Sequence, residues 1–308
     1  MLLLLLPIGL GFLVGAVFGG ARPAARVIAA GTAFFVLLVV WAQGAALGAD
    51  AEVRALLAPL AAQAGLLTAS IGAFTLLLVE LAARGLGLAR QREEARTGEG
   101  SWKTALRTAF VLLVVLGAGL GAGVLLEAHA DRLAPWRDAP LFGLLAFIGA
   151  DLGRRRAAVV RELRRAGRLL LLAPVALVAA VLGALAVLPW LPHSSAAMIA
   201  GSVGFGFYSV SGPMVTALDQ PAAGGVVFLA NLFRELSAMV LVPLLARAGL
   251  SAPTAAAWGG ATAMDSTLPF LVRSYGSAGA AAGLALGMLL SVAVPVLVPL
   301  VYALLSAG

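Results

Sequence analysis

The chain has 308 residues, of which 62% are hydrophobic and only 11% charged, whereas a soluble domain carries about 25% charged residues, so a water-exposed surface cannot be built from it. The net charge of +7 comes almost entirely from arginines beside apolar runs, a pattern that reads as membrane topology and excludes a nucleic-acid footprint. Cysteine is absent, which excludes disulfides and thiolate metal sites.

Apolar runs of about 20 residues recur along the chain, each long enough to cross a hydrocarbon core of roughly 30 Å. They lack the period-two alternation of barrel strands, so helices are the remaining way to satisfy the backbone in lipid. The fold class is an all-α polytopic membrane protein. The N-terminal run, Met1 to Phe18, lacks a basic leader and reads as a retained first span. Candidate spans cover about 2–20, 27–48, 57–82, 108–127, 139–152, 169–189, 222–246 and 280–305. Residues 1–308 read as a single transmembrane domain, with an N-terminal half (1–168) carrying basic loops and a C-terminal half (169–308) in which the candidate site residues concentrate.

Basic and near-neutral loops alternate. Arg22 and Arg26 follow the first span, and Arg84 to Arg107 follow the third. Arg154, Arg155, Arg156, Arg161, Arg164, Arg165 and Arg168 follow the fifth. The positive-inside rule puts these loops in the cytoplasm and both termini outside. Two further stretches, Ser194 to Thr216 and Thr254 to Tyr275, are apolar but crowded with Gly, Ser, Thr and Pro. If both cross the membrane there are ten spans. If both are re-entrant, one from each side, there are eight, with Arg247 and Arg273 inside, and charge favours this second count.

The end of span two, from Gln43 through Gly44, Ala45 and Leu47 to Gly48, is echoed by Ile148, Gly149, Ala150, Leu152 and Gly153 at the end of span five. The topology runs the two copies in opposite directions, the arrangement of the inverted repeats that frame a midplane site in secondary transporters.

From Leu169 onward only six residues are charged: Asp219, Arg234, Glu235, Arg247, Asp265 and Arg273. Asp219, Arg247 and Arg273 sit near span ends, where water can solvate them. Arg234, Glu235 and Asp265 lie deep in apolar windows, where an ion costs several kcal/mol unless paired or facing a polar cavity. Pro269 cannot bond the Asp265 carbonyl, so the helix is expected to break at the carboxylate. Pro213 relates to Ser209 in the same way, within a segment that also offers Gly204 and Ser211. Two broken segments imply one shared site, in which N–H groups face an anion and carbonyls and carboxylates hold a cation. Thr262 and Ser266 flank Asp265, and Asn231 lies one helical turn before Glu235, with Arg234 adjacent. A structural alternative pairs Arg234 with Glu235 or Asp265. Asp151 is a candidate in the first half, whereas Glu80 reads as a structural partner of Arg84.

The segments from Gly204 to Gly212, from Asn231 to Leu236 and from Gly259 to Pro269 together resemble the LysO family of bacterial lysine exporters. That resemblance implies export of L-lysine and analogues across the cytoplasmic (inner) membrane of a bacterium, with Asp265 at the position of an essential intramembrane aspartate. It also implies an acidic partner in the first half, for which Asp50 and Asp151 both stand. Outward movement of Lys⁺ against an inside-negative potential costs about 2.3 kcal/mol per 100 mV, and no nucleotide-binding loop is present. Proton antiport is the expected coupling. The partners are then L-lysine or another cationic amino acid, protons and the lipid bilayer, and the sequence leaves a homo-oligomer open. No cofactor, metal or enzymatic activity is expected: the histidines, His129 and His193, fall in predicted loops, as does Lys103, and no catalytic pair is present. The alternative is a sodium/proton or other cation antiporter, which would use the same acid at a broken helix.

Overall fold

The computed structural model describes residues 2–19, 22–49, 51–55, 57–89, 100–127 and 139–306, and Asp50 and His129 lie outside them. Every regular element among these residues is helical. In chain order they are α1 (Leu2–Phe18), α2 (Arg22–Ala49), α3 (Ala51–Ala55), α4 (Leu57–Gly85), α5 (Gly100–Leu126) and α6 (Ala139–Ala166). There follow α7 (Leu172–Val187), α8 (Ser195–Ser202), α9 (Tyr208–Leu218), α10 (Pro221–Arg247), α11 (Ala252–Gly259) and α12 (Leu268–Ser306). Five helical stretches are long and apolar enough to cross a membrane: Pro23–Ala49, Leu57–Gly85, Gly167–Trp190, Pro221–Arg247 and Leu268–Ser306. Leu5–Phe18 and Phe110–Leu126 are shorter apolar helices.

Two boundaries differ from the sequence expectation. The arginine-rich segment after residue 152 is not a loop but the continuation of α6 to Ala166, since Ala, Arg, Leu and Glu all favour helix once one is nucleated. Lys103 likewise lies within α5 and not in a loop.

Four helices form one packing group through glycine. A Cβ on Gly11 would lie 2.0 Å from the Ala146 carbonyl oxygen, and one on Gly15 would lie 1.9 Å from that of Ala150, so α1 runs parallel to α6 in backbone contact. Gly119 meets Trp41 and Gly123 meets Ala45 in the same manner, which sets α5 parallel to α2. Gly31 lies under the Phe147 ring and Gly143 under the Phe35 ring, so α2 and α6 are antiparallel. Close approach of this kind replaces the missing hydrophobic drive for helix association in lipid.

The second group gathers α4, α7 and everything after it. Gly183 of α7 sits against Ile71 of α4, the Ser70 hydroxyl donates to the Gly183 carbonyl at 2.7 Å, and Thr68 of α4 donates to Ala230 of α10 at 2.9 Å. Two hairpins are held between these long helices. The first is α8 and α9, joined at 203–207. The second is α11, a 3₁₀ turn over Gly260–Met264, and the first arm of α12, which ends where Gly276 (φ 61°) splits α12.

Their mouths lie at opposite ends of α4. His193, just before α8, bonds Gln63 at 2.8 Å. Burial pulls its imidazole below the ordinary value while Asp219, just after α9, pulls the other way, so both ends of the first hairpin sit together. Ser251, just before α11, donates its N–H to Glu80 at 2.9 Å, and Tyr275, at the end of the returning arm, lies within electrostatic reach of the same Glu80. Gln63 and Glu80 are about 25 Å apart along α4 at 1.5 Å per residue. Each hairpin therefore comes in from its own end, and the tips meet midway.

Because Gly15 is in backbone contact and Gly65 has open space around it, Gly15→Ala should lower the thermal unfolding midpoint in detergent. An overpacking cost of about 1–3 kcal/mol is expected, with Gly65→Ala near wild type.

Candidate functional site

The tips join through backbone. Phe205 (φ 47°) and Gly206 (φ 80°) turn the first hairpin, Gly260 (φ 61°) turns the second, and the Ala261 N–H donates to the Phe205 carbonyl at 2.9 Å. A Cβ at Gly260 would stand 2.3 Å from that carbonyl oxygen, so both sterics and left-handed φ demand glycine there. The break in the first segment is at these residues rather than at Pro213, which is accommodated inside α9. In the second segment the break falls at Asp265 as expected, but its carbonyl is not free: it accepts from the Leu268 N–H at 3.2 Å.

Helix α10 passes behind the junction and fastens both tips. Asn231 accepts from the Gly206 N–H at 2.8 Å and donates to the Gly201 and Val227 carbonyls at 3.0 Å. Arg234, 2% exposed, donates to the carbonyls of Trp258 at 2.9 Å and Ala257 at 2.8 Å, and its guanidinium lies 5.3 Å from the Phe205 ring centroid and 5.5 Å from that of Trp258. It pairs with neither Glu235 nor Asp265, so the ion pair weighed from the sequence is replaced by a cap on the C-terminal carbonyls of α11. From the other side, Ser291 of α12 donates to the Ala261 carbonyl at 3.0 Å. Gly283 and Gly287, two and one turns earlier, leave room for Ala263 and Met264.

The chemistry lies beside this junction. The Ser266 N–H bonds the Asp265 carboxylate at 2.5 Å and the Ser266 hydroxyl bonds the Glu235 carboxylate at 2.6 Å, so one residue bridges the two acids. Asp265 is exposed, whereas Glu235 is 6% exposed and its second oxygen has no hydrogen-bond partner. Among the described residues no cation forms a salt bridge with either acid. Tyr208, the first residue of α9, is buried within electrostatic reach of both.

The remaining candidates divide. Gly204 packs against Ser211 and Asn231. Ser211 spends its hydroxyl on the Phe207 carbonyl at 3.0 Å, and Thr262 spends its own on Gly259 and Thr267. These shape the tips, and Ser209 is buried beside them. Asp151 is not brought to the junction. It pairs with Arg154 at 2.7 Å and Arg155 at 2.9 Å on its own helix. Glu80 does bond Arg84 at 2.8 Å, and it also accepts from Ser251 and Thr254 at the start of α11. Sequence reasoning passed over Tyr208 and Ser291. Position alone could have raised the first, since it follows the glycine-rich break, and the four-residue spacing of Gly283, Gly287 and Ser291 could have raised the second.

The family model described as "Lysine exporter LysO" matches residues 111–302, more than half of the chain. The chain belongs to the LysO lysine exporter family. A protein named "Lysine exporter LysO" from Escherichia coli is 35% identical over 167 residues, covering 53% of this chain and 53% of that protein. A "Putative lysine exporter" from Haemophilus influenzae is 30% identical over 136 residues, 44% of this chain and 68% of that protein. The similarity thus spans about half the length of the Escherichia coli relative. No solved structure matches the chain. The stretch matched to the LysO family contains both hairpins, α10 and the two bridged acids.

Arg234→Lys offers one ammonium where two carbonyls were capped by a fixed fork. It should lower unfolding stability by about 1–3 kcal/mol, the cost of leaving a buried acceptor unsatisfied, read by thermal unfolding in detergent.

Proposed function

We propose that this protein exports L-lysine across the cytoplasmic membrane by proton antiport, with the Asp265–Ser266–Glu235 cluster as the shared cation site. The observation that carries the reading is the pair of bridged acids without a counter-cation. The one buried arginine nearby is committed to carbonyls, so the negative charge is left for a bound cation to neutralise. A proton and a lysine ammonium can do so in turn. Asp265, exposed, receives the ammonium. Glu235, buried behind Ser266, assists by holding a proton. The N-terminus of α9 has no side-chain cap and begins at Tyr208 beside the acids, so its N–H groups suit the substrate α-carboxylate.

The topology that fits this reading has eight spans with two re-entrant hairpins, one from each side, and both termini outside. It is supported by the hairpin mouths at opposite ends of α4 and by the basic ends of α4 and α6. An inverted repeat relates α1 and α2 to α5 and α6. Gly44 meets Leu116 and Leu120, as Gly149 meets Ile8 and Phe12; Gly119 meets Trp41, as Gly11 meets Ala146; Gly123 meets Ala45, as Gly15 meets Ala150. Equivalent glycines in equivalent parallel pairs, with α2 and α6 antiparallel, are what the G-A-x-L-G echo requires.

In proteoliposomes under an imposed pH gradient, the wild-type protein should show lysine counterflow with proton movement. Asp265→Asn should reduce it to background, and Glu235→Gln should uncouple or strongly slow it. Wild-type proton-coupled lysine flux by the Asp265→Asn protein would sink the assignment. Flux of Na⁺ without lysine would favour the plain cation antiporter.

A further inference from the structure

The arginine-bearing end of α6 carries a feature that lysine transport does not use. Asp151 pairs with both Arg154 and Arg155, and Arg156 reaches across to α1, donating to the Ala16 carbonyl at 2.9 Å as well as to Gly153 at 2.9 Å. Arg161 and Arg164 are exposed and form no salt bridge with any described residue. Their positions, with Ala157 and Val160, recur at three- and four-residue steps and so share one face of α6. That face, with Arg156 and with Phe12 of α1, lines an open groove between the two helices. Its wall is apolar at Phe12, 39% exposed, and Val160, 48% exposed, and cationic at three arginines.

We infer that this groove binds the phosphate-bearing headgroup of an anionic phospholipid, with the acyl chains along Phe12 and Val160. A guanidinium fork matches phosphate oxygens in a bidentate geometry. The cytoplasmic leaflet, where the positive-inside rule puts this end of α6, is the anionic one. Phe12 lies level with Gly153, before the last turn of apolar α1, and the arginines extend past it, so the groove runs from hydrocarbon to interface as a lipid does. A soluble phosphate would use the arginines alone and leave the apolar wall bare. The inference rests on membrane insertion, and its readout is lipid retention, so it stands or falls separately from lysine export.

The test is native mass spectrometry of the detergent-purified full chain titrated with dioleoyl phosphatidylglycerol and, in parallel, dioleoyl phosphatidylcholine. The wild type should retain phosphatidylglycerol preferentially. Arg161→Gln with Arg164→Gln should weaken that retention roughly 10- to 30-fold, from the typical contribution of each basic side chain near an anionic surface, with phosphatidylcholine unchanged. Arg164→Gln alone, expected at several-fold, serves if the double variant does not survive purification. Arg247→Gln with Arg273→Gln removes the same charge elsewhere and should retain lipid like wild type. Equal retention by the Arg161/Arg164 variant, an equal loss in the Arg247/Arg273 control, or equally tight binding of glycerol phosphate lacking acyl chains would each overturn the site.

Discussion

The second hairpin depends on how α11 is held. It has only eight residues, too few to persist alone given the cost of helix nucleation. Glu80 gives it an anion at its N-terminus, accepting from the Ser251 N–H and from the Ser251 and Thr254 hydroxyls. Arg234 gives it a cation at its C-terminus, donating to Ala257 and Trp258. Both charges complement the helix dipole and satisfy end groups that lipid could not. The clamp comes from α4 on one side and α10 on the other, so it also fixes the depth at which the chain turns.

With α11 fixed, the position of the acids follows. The Trp258 carbonyl on Arg234 is followed at once by Gly259 and Gly260, and the left-handed turn at Gly260 sends the Ala261 N–H to Phe205. Asn231, three residues before Arg234 on α10, holds the opposing tip at Gly206. Glu235, one residue after Arg234, then meets Ser266. Three polar side chains within about one turn of one helix thereby set the register between two hairpins from opposite ends of the molecule. Irregular backbone at this depth is tolerated where its groups find partners inside the protein, as the Gly206 and Ala261 N–H groups and the Phe205 and Ala261 carbonyls do.

Much of this was legible from residues alone. The scarcity of charge after Leu169 singled out Arg234, Glu235 and Asp265, the four-residue spacing from Glu235 added Asn231, and Pro269 located the second break. The first break was misplaced because Pro213 looks like the stronger disruptor. In fact α9 runs on through Pro213, whereas the chain reverses at Phe205 and Gly206, whose positive φ forms the turn after α8 has ended at Ser202. The role of Arg234 was not legible, since a guanidinium near two carboxylates invites an ion pair, and only the fold shows two carbonyls closer to it. Glu80 was half legible: Arg84 lies one turn away in sequence, but Ser251 and Thr254 are brought to it from more than 170 positions along. The helical run past residue 152 was hidden by its arginines, which read as loop by charge although they favour helix by propensity.

The commitment of Arg234 decides the electrostatics of the whole site. Had it faced Glu235 or Asp265, the cluster would carry at most one net negative charge and would hold a proton or an ammonium weakly. Spent on carbonyls instead, it leaves two bridged carboxyl groups with one oxygen unpartnered, and a cation must complete them. Neutralising one acid changes what the other can hold, because Ser266 ties them through a single residue and their charges act directly on each other. In the exchange proposed above, a proton and an ammonium compete for this pair, so that binding of one favours release of the other.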